Sequence, residues 1–282
     1  MKTKITIFLT FLVVAMLLAS CGTTNQNSGE GTTSASGEKE VFRVGLEAGY
    51  PPFNWTQMDD TNGAIKINGT AEYAGGYDVE IAKKIAEGLG RDLEVVKIEW
   101  DGLVPALTSG KIDAIIAGMS PTEKRKETID FSDNYYTSNF VMVVKKGSAY
   151  EKATSIQDFK GAKITGQLNT SHYDVIDQIN GVKKQPASDN FPAMRVALES
   201  GMIDGYVSER PEGISASTAN ENFVMIEFEE GFKADPVETA IAVGLQKGNP
   251  DLEKINEILA GISEEERQKL MDTAILNQPA AE

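Results

Sequence analysis

The sequence contains one cysteine, Cys21, one histidine, His172, and far fewer basic than acidic residues. With a single cysteine, neither an internal disulfide nor a cysteine-based metal site or nucleophile is expected. The net charge of −15 at pH 7 argues against a nucleic-acid partner, because phosphates require a basic surface. No catalytic or metal-binding set of residues is recognisable, so we expect neither an enzyme nor a cofactor.

The composition is otherwise that of a globular protein, with 41% hydrophobic and 24% charged residues in 282 positions. This length predicts one or two domains. One long apolar run, residues 5–18, follows two lysines near the N-terminus and is shorter than the roughly 20 residues of a membrane helix. Residues 1–21 are therefore predicted to be a signal peptide.

The signal peptide ends in Leu-Ala-Ser-Cys at residues 18–21, which resembles the bacterial lipobox. The resemblance implies that Cys21 is lipidated and becomes the mature N-terminus, anchored to the bacterial cell membrane on its extracytoplasmic side. Residues 22–40 are rich in glycine, serine, threonine and asparagine and are predicted to be a flexible tether.

Residues 107–125 predict a buried strand between two helices. Gly110 fits a helix C-cap, and residues 112–117 form an apolar run typical of a strand buried on both faces. The letters Ser-Pro-Thr-Glu, starting at Ser120, predict a capping box that opens the next helix. Backbone N–H groups, a hydroxyl and the Arg125 guanidinium would then converge on a small anion such as a carboxylate.

The pattern Leu-x-Ser-Gly-x-Ile-Asp occurs twice, at residues 107–113 and 198–204. The first copy leads to a strand end at Gly118, and the second leads to a strand end at Glu209. One end offers an anion site and the other a carboxylate for a cation, which suggests a zwitterion bound between two similar lobes. A unit repeated for packing alone explains the repeat equally well at this point.

Strands and helices alternate along the chain, which predicts an α/β fold with parallel sheets. An amphipathic helix is predicted over residues 77–89, residues 47–55 are predicted to be a loop because of two prolines, and residues 56–74 a polar surface excursion. Ligands of such sheets bind beyond the carboxyl ends of the strands. The candidate residues at these ends are Glu47, Tyr50, Trp100, Gly118, Ser120, Thr170, Ser171 and Glu209.

Several segments resemble the family 3 extracellular solute-binding proteins, the polar-amino-acid receptors of ABC importers. The likeness runs from residue 41 to about residue 263. It is carried by residues 76–89, Tyr-Pro-Pro-Phe at 50–53, residues 100–105, Ser-Pro-Thr-Glu-Lys-Arg at 120–125 and Ile-Asp-Phe-Ser-Asp at 129–133.

The resemblance implies a two-lobed, type II periplasmic-binding-protein-like fold whose lobes are joined by two hinge strands and close on the ligand. Lobe 1 would comprise residues 41–136 plus 240–282, and lobe 2 residues 137–239. The implied partners are an amino acid and the permease and ATPase subunits of an ABC transporter, and a monomer is expected. A dehydratase-like enzyme on the same fold is the alternative, since buried acids could act as acid or base.

The resemblance also implies roles at the ligand's zwitterionic end. Arg125 would clamp the α-carboxylate with Ser120 and the backbone of Ser171, next to Thr170. Glu209 would receive the α-ammonium together with the Gly118 carbonyl. Arg125 could instead form a local surface salt bridge. His172 is expected to be a surface residue at a helix start.

Four residues would contact the ligand's side chain: Glu47, Tyr50, Trp100 and Gln167. The two aromatic rings would sandwich it, although Trp100 could also be a core residue. Glu47 would be a surplus buried charge that requires a cation, so arginine or lysine is expected before glutamine. Glu47 could alternatively face solvent or pair with Lys66.

Overall fold

A computed structural model describes residues 39–279 of the protein. The predicted signal peptide, residues 1–21, and most of the predicted tether lie outside the described residues. Within the described range, no helix is long and apolar enough to cross a membrane.

Strands and helices alternate along residues 39–279, as predicted. The strands are β1 (Val41–Leu46), β2 (Gly49–Tyr50), β3 (Asn54–Gln57), β4 (Ile65–Lys66), β5 (Tyr73–Gly75), β6 (Asp92–Lys97), β7 (Ala114–Ile115), β8 (Asp130–Thr137), β9 (Phe140–Lys145), β10 (Lys163–Thr165), β11 (Lys183–Lys184), β12 (Gly205–Glu209), β13 (Phe223–Ile226) and β14 (Ala240–Leu245). The α-helices are α1 (Tyr77–Leu89), α2 (Leu103–Thr108), α3 (Glu123–Lys126), α4 (Ser171–Asp174), α5 (Phe191–Glu199), α6 (Arg210–Ala219), α7 (Pro236–Thr239), α8 (Leu252–Ala260) and α9 (Glu264–Asn277). Short 3-10 turns cover Thr61–Gly63, Trp100–Gly102, Ile156–Phe159 and Val175–Gln178.

Each of the two lobes is built on a five-stranded sheet. The first sheet has the order β6-β1-β7-β14-β8 and the second the order β11-β10-β12-β9-β13. The first three strands of each sheet are parallel, whereas the fourth, β14 or β9, is antiparallel to both neighbours. The predicted parallel sheets are therefore mixed, because each antiparallel strand enters its sheet just after the chain crosses between the lobes.

The chain crosses between the lobes twice, once between β8 and β9 and once between α7 and β14. The backbone N–H of Ser138 donates to the carbonyl of Thr239 at 2.9 Å, which holds the two crossings side by side. The strand membership fits lobes of residues 41–136 plus 240–282 and of residues 137–239, but these boundaries stay a prediction.

Helix α1 follows the sequence prediction residue for residue. Ile81 and Ile85 of its apolar stripe are fully buried against the first lobe's core, and Leu89 at its end is partly buried. Gly90 ends the helix in the left-handed conformation, with φ of 70°. The helix therefore forms because one face is apolar at helical spacing and a glycine permits the terminating turn.

The repeated Leu-x-Ser-Gly-x-Ile-Asp unit has a structural function in both lobes. Asp113 accepts a hydrogen bond from the Arg43 backbone N–H of β1 at 2.8 Å. Asp204 does the same for the Lys163 backbone N–H at 2.7 Å, at the start of β10. The repeat therefore joins equivalent strands, and this packing function accounts for its two aspartates.

The segment 56–74 is more ordered than a surface excursion. With residues 49–57 it forms a small sheet of order β2-β3-β5-β4, so the prediction that residues 47–55 hold no regular structure is wrong. Ile67 is fully buried and lies in a parallel bridge with Val95 of β6, and the Asn68 N–H donates to the Val95 carbonyl at 2.8 Å. The segment thus covers the open edge of the first sheet.

The predicted capping box at Ser120 is wrong. Thr122 is the N-cap of α3, and its hydroxyl accepts from the Arg125 backbone N–H at 3.4 Å. Helix α3 is a single turn, and the strand predicted over residues 112–117 is only two residues long. Both Ser120 and Thr122 lie three residues before an N–H of the first turn, but the Ser120 hydroxyl is engaged by the Glu238 backbone carbonyl, and Thr122 is the residue that caps the helix.

Helix α6 was not predicted. It follows directly from Glu209, with Pro211 and Gly213 both in its first turn. These residues resemble a loop in sequence, but proline is compatible with the first turn of a helix. The Gly213 position faces Met225, whose side chain lies where a β-carbon would clash, so close packing against β13 requires the glycine.

Candidate functional site

Predicted site residues from the two lobes meet beyond the strand ends. Glu47 follows β1, Gln167 follows β10, and the Gln167 amide donates from Nε2 to Glu47 Oε2 at 3.0 Å. Tyr50 lies on β2, and its hydroxyl donates to Glu209 Oε1 at the end of β12. These hydrogen bonds join the lobes directly across the cleft.

Two carboxylates are buried in this cleft, Glu47 with 6% and Glu209 with 5% exposure. Burial raises the pKa of Glu47 to about 7, against the opposing hydrogen bond from Gln167. Burial likewise raises the pKa of Glu209 to about 8, against the hydrogen bond from Tyr50. Among the described residues, Glu47 Oε1 has no hydrogen-bond partner. Within residues 39–279, neither acid forms an ion pair with a lysine or an arginine. Glu209 has one contact with His172, which is described below.

Arg125 brings a cation to the same cleft. Its Nη1 donates to the Ser120 carbonyl at 2.8 Å, and its Nη2 donates to the Asn169 carbonyl of lobe 2 at 3.0 Å. The guanidinium carbon lies 5.0 Å from the centre of the Trp100 ring. Burial lowers the pKa of Arg125 to about 10, so it remains charged at neutral pH.

The two predicted hydroxyl residues are linked through Glu238, which sequence reasoning missed. The Ser120 hydroxyl donates to the Glu238 backbone carbonyl at 3.0 Å. The Ser171 hydroxyl donates to the Glu238 carboxylate at 3.2 Å. Because Glu238 belongs to α7, at the second crossing, it couples the carboxylate end of the predicted site to the hinge.

The aromatic side chains are arranged differently from a simple sandwich. Tyr50 stacks on Phe191 of lobe 2, with ring centres 4.2 Å apart, and on Phe53 at 5.0 Å. Trp100 is 9% exposed and carries the Arg125 guanidinium over its ring. The cleft therefore has aromatic surfaces at Tyr50 and Trp100. Phe191 adds a third, which the sequence does not indicate beyond its position at the start of α5.

Gly118 has φ of 61°, and a β-carbon there would lie 2.7 Å from the Tyr50 ring. Its N–H donates to the Tyr135 hydroxyl at 3.2 Å, and this hydroxyl donates to the fully buried Asp78 at 2.7 Å. Asn54 Nδ2 donates to the other Asp78 oxygen at 2.8 Å, and burial raises the pKa of Asp78 to about 6. A network from α1 thus fixes the Gly118 backbone against Tyr50.

The loop from Gln167 to Ser171 is shaped by its own hydrogen bonds. The Thr170 hydroxyl donates to the Gln167 carbonyl at 2.7 Å, so it stabilises the loop that leads into α4. Asn169 has φ of 57°, and its side-chain amide donates to Asp101 of lobe 1 at 2.9 Å. The loop therefore carries several of the contacts between the lobes.

His172 is not a surface residue, which corrects the prediction. Its side chain is 12% exposed and lies with ring centres 5.2 Å from Phe140 and 6.0 Å from Phe191. Its Nε2 lies 3.9 Å from Glu209 Oε1. Sequence position alone gave no sign of burial, because the ring turns inward from the first turn of a short helix.

These side chains nearly fill the space that they enclose, where about 10 Å³ is free. That space is lined by Tyr50, Trp100, Gly118, Ser120, Arg125, Gln167, Thr170, Ser171, His172 and Glu238. A wider cleft of about 770 Å³ adjoins it on the side of Arg125 and Trp100. Over residues 39–279, no group of three or more acidic, histidine or cysteine residues is arranged to hold a metal ion.

Comparison with known proteins identifies related chains. The chain is 34% identical over 157 residues to the arginine-binding extracellular protein ArtP of Bacillus subtilis, a match that covers 56% of this chain and 52% of that protein. It is 29% identical over 250 residues to the L-cystine-binding protein TcyJ of Escherichia coli, covering 88% and 87% of the two chains.

Among solved structures, the fold matches an amino acid ABC transporter substrate-binding protein of Streptococcus pneumoniae bound to L-arginine. The TM-score is 0.74 at 26% identity, over 84% of this chain and 94% of that one. This likeness confirms the two-lobed type II periplasmic-binding-protein fold.

The sequence profile of the bacterial extracellular solute-binding proteins, family 3, matches residues 42–276. The match spans both lobes and every predicted ligand-binding residue. The chain is therefore a member of the family 3 bacterial extracellular solute-binding proteins.

Proposed function

We propose that this protein is the substrate-binding component of an ABC importer and captures a cationic amino acid, arginine or lysine, outside the cytoplasm. The observation that carries the proposal is the charge pattern of the cleft. The cation Arg125 and two buried carboxylates, Glu47 and Glu209, lie in the same cleft, and a ligand with one carboxylate and two cationic groups would match them.

The zwitterionic end of the ligand would bind between Arg125 and Glu209. Arg125 already donates to two backbone carbonyls, and its guanidinium could turn to form two parallel hydrogen bonds with an α-carboxylate beside Ser120 and Ser171. Glu209 would accept the α-ammonium, together with the carbonyl of Gly118. The ammonium would displace the Tyr50 hydroxyl from Glu209, because both groups would donate to the same carboxylate oxygen.

The side-chain end is assigned to Glu47, Gln167, Tyr50 and Trp100. Lys66 is exposed, and Glu47 hydrogen-bonds to Gln167, so pairing with Lys66 does not explain this acid. A guanidinium or ammonium would neutralise Glu47 and rest against an aromatic face.

Names of relatives support an amino acid ligand without agreeing on one. The Bacillus and Streptococcus proteins are described with arginine and the Escherichia protein with L-cystine. Glutamine is the second candidate, because Gln167 already shows that an amide can hydrogen-bond to Glu47 at 3.0 Å.

Ligand entry would require the lobes to separate about the two crossings, since the site is nearly filled. Closure would then re-form contacts that join the lobes, such as the hydrogen bond from the Asn169 side chain to Asp101. The closed form would be the one delivered to the permease and ATPase subunits, with the protein acting as a monomer.

The proposed role is binding and not catalysis. A dehydratase-like enzyme would return a changed amino acid, so incubation followed by NMR of the ligand separates the two functions. Recovery of the ligand unchanged is the expected result.

Calorimetric titration of the protein with each of the twenty amino acids tests the proposal. The protein should first be unfolded and refolded to remove any bound ligand. Arginine or lysine should bind tightest and aspartate and glutamate should not bind, because their side-chain carboxylate would be buried next to that of Glu47. A preference for an acidic amino acid, or no binding to any of the twenty, would overturn the proposal.

A further inference from the structure

His172 occupies a buried position without the hydrogen bonds that a buried imidazole normally makes. Neither ring nitrogen has a partner within the described part of the chain. Phe140 and Phe191 flank the ring at 5.2 Å and 6.0 Å. Leaving a buried polar group without a hydrogen bond costs free energy, so such a group in a binding cleft indicates a contact that a ligand supplies.

Burial, together with a neighbouring cation, keeps the His172 ring neutral. Burial and the Arg125 guanidinium lower the pKa of His172 to about 3, while Glu209 lies opposite Nε2 and binds the Tyr50 hydroxyl. A neutral imidazole has one donor nitrogen and one acceptor nitrogen. At physiological pH His172 can therefore accept one hydrogen bond.

The geometry matches the ammonium end of an amino acid. Nε2 of His172 lies 3.9 Å from Glu209 Oε1. An ammonium nitrogen that is about 2.9 Å from each of two acceptors can bridge a pair about 4–5 Å apart, so a small change in the ring position is enough. An ammonium carries three N–H donors, and Glu209, the Gly118 carbonyl and His172 would provide three acceptors.

We propose that His172 is a ligand-contacting residue whose imidazole Nε2 accepts a hydrogen bond from the α-ammonium of the bound amino acid, beside Glu209. This assignment rests on the proposed function, because it requires an α-amino acid in the cleft. It gives the site a neutral acceptor that favours ligands with a primary α-ammonium. This acceptor adds no third negative charge next to Glu47 and Glu209.

A packing role is the competing explanation, since the ring lies between two phenylalanines. His172→Phe preserves an aromatic ring and removes both nitrogens, whereas His172→Gln places an amide oxygen near the position of Nε2. Binding should be measured by NMR titration with three ligand pairs: L-arginine and 5-guanidinopentanoate, L-lysine and 6-aminohexanoate, and L-glutamine and 4-carbamoylbutanoate. The second member of each pair lacks only the α-ammonium.

His172→Phe should weaken the L-amino acid that binds best by about ten- to a hundredfold. Its des-amino partner should change by less than about threefold, and His172→Gln should recover part of the loss. Equal losses for both members of the pair, or no loss for either, would overturn the assignment and leave amino acid binding intact. Failure of the wild-type protein to bind any of the three amino acids would overturn the proposed function, and the assignment with it.

The imidazole itself provides a second readout, because the chain has a single histidine. In protein that carries no histidine tag, the two ring ¹⁵N resonances belong to His172 alone. We expect a neutral ring at pH 6, and a shift of the acceptor nitrogen when the amino acid saturates the site. A ring that titrates near its ordinary pKa of about 6.5, or resonances unchanged by ligand, would contradict the assignment.

Discussion

Arg125 is the residue on which the proposed carboxylate site depends. Arg125→Ala should weaken amino acid binding by about 2–5 kcal/mol, since a buried ligand carboxylate would lose its charged partner. This is about 30- to several-thousand-fold in Kd and is measurable by calorimetry. Lys124→Ala is the matched control, because Lys124 is the exposed neighbour on the same helical turn. An Arg125→Ala protein that folds and binds within threefold of wild type would refute the assignment.

The two buried acids predict that binding depends on pH. The pKa values of Glu47 and Glu209 are raised to about 7 and about 8, so both are substantially protonated below these values. A cationic ligand binds their ionised forms, and binding should therefore release protons and strengthen as the pH rises from about 5 to 8.

The pH dependence of folding stability is opposite in sign to the pH dependence of binding. Raised pKa values mean that these acids favour the folded state at low pH, and this contribution is lost as the pH rises through about 7 to 8. The increase in Tm produced by ligand should therefore be larger at pH 8 than at pH 5. Calorimetry in two buffers of different ionisation enthalpy would count the released protons, and a Kd independent of pH across this range would contradict the charge assignment.

At the scale of elements, the sequence predicts regular structure well where one local signal dominates. Helix α1 follows from an apolar stripe and a terminal glycine, and its predicted bounds agree with the structure. The start of α3 was misplaced because Ser120 and Thr122 both fit the capping pattern, and only the tertiary position of Glu238 draws the Ser120 hydroxyl away.

The same limit applies to the site. Residues at strand ends, such as Glu47 and Glu209, could be placed from the chain order, because the carboxyl ends of parallel strands share one edge of a sheet. His172, Phe191 and Glu238 could not, since their position in the cleft depends on how the lobes meet, which involves contacts distant in sequence.

The segment 56–74 is predicted to contribute to the stability of the first lobe. Ile67 is fully buried against β6, so Ile67→Ala should lower the free energy of unfolding by about 2–5 kcal/mol through loss of buried methylenes and the cavity left behind. Lys66→Ala, at the exposed neighbouring position, should change it by less than about 0.5 kcal/mol. Denaturant unfolding measures both, and equal effects of the two substitutions would show that the segment is not packed as described.

For the whole molecule, we propose that Cys21 is lipidated and that residues 22–40 tether the lobes to the outer face of the cell membrane. Cys21→Ala should release the protein into the medium or block its maturation, because the proposed lipid would be attached to this thiol. Membrane fractionation with mass spectrometry of the mature N-terminus checks this. A variant that is processed normally and stays on the membrane would place the anchor elsewhere.

Glu47 of lobe 1 accepts a hydrogen bond from Gln167 of lobe 2, so the charge of Glu47 should decide which ligand side chain the cleft accepts. The most direct test is calorimetric titration of wild type and Glu47→Gln with arginine, lysine and glutamine. Glu87→Gln is the matched control, because it changes the formal charge equally at an exposed position of the same lobe.

Wild type should prefer arginine or lysine, and Glu47→Gln should weaken both by about 30-fold or more, since a buried cation would lose its partner. Glutamine should bind the variant as well as it binds wild type, or better. A wild-type preference for glutamine, or a Glu47→Gln protein that keeps its arginine affinity within threefold, would contradict the account.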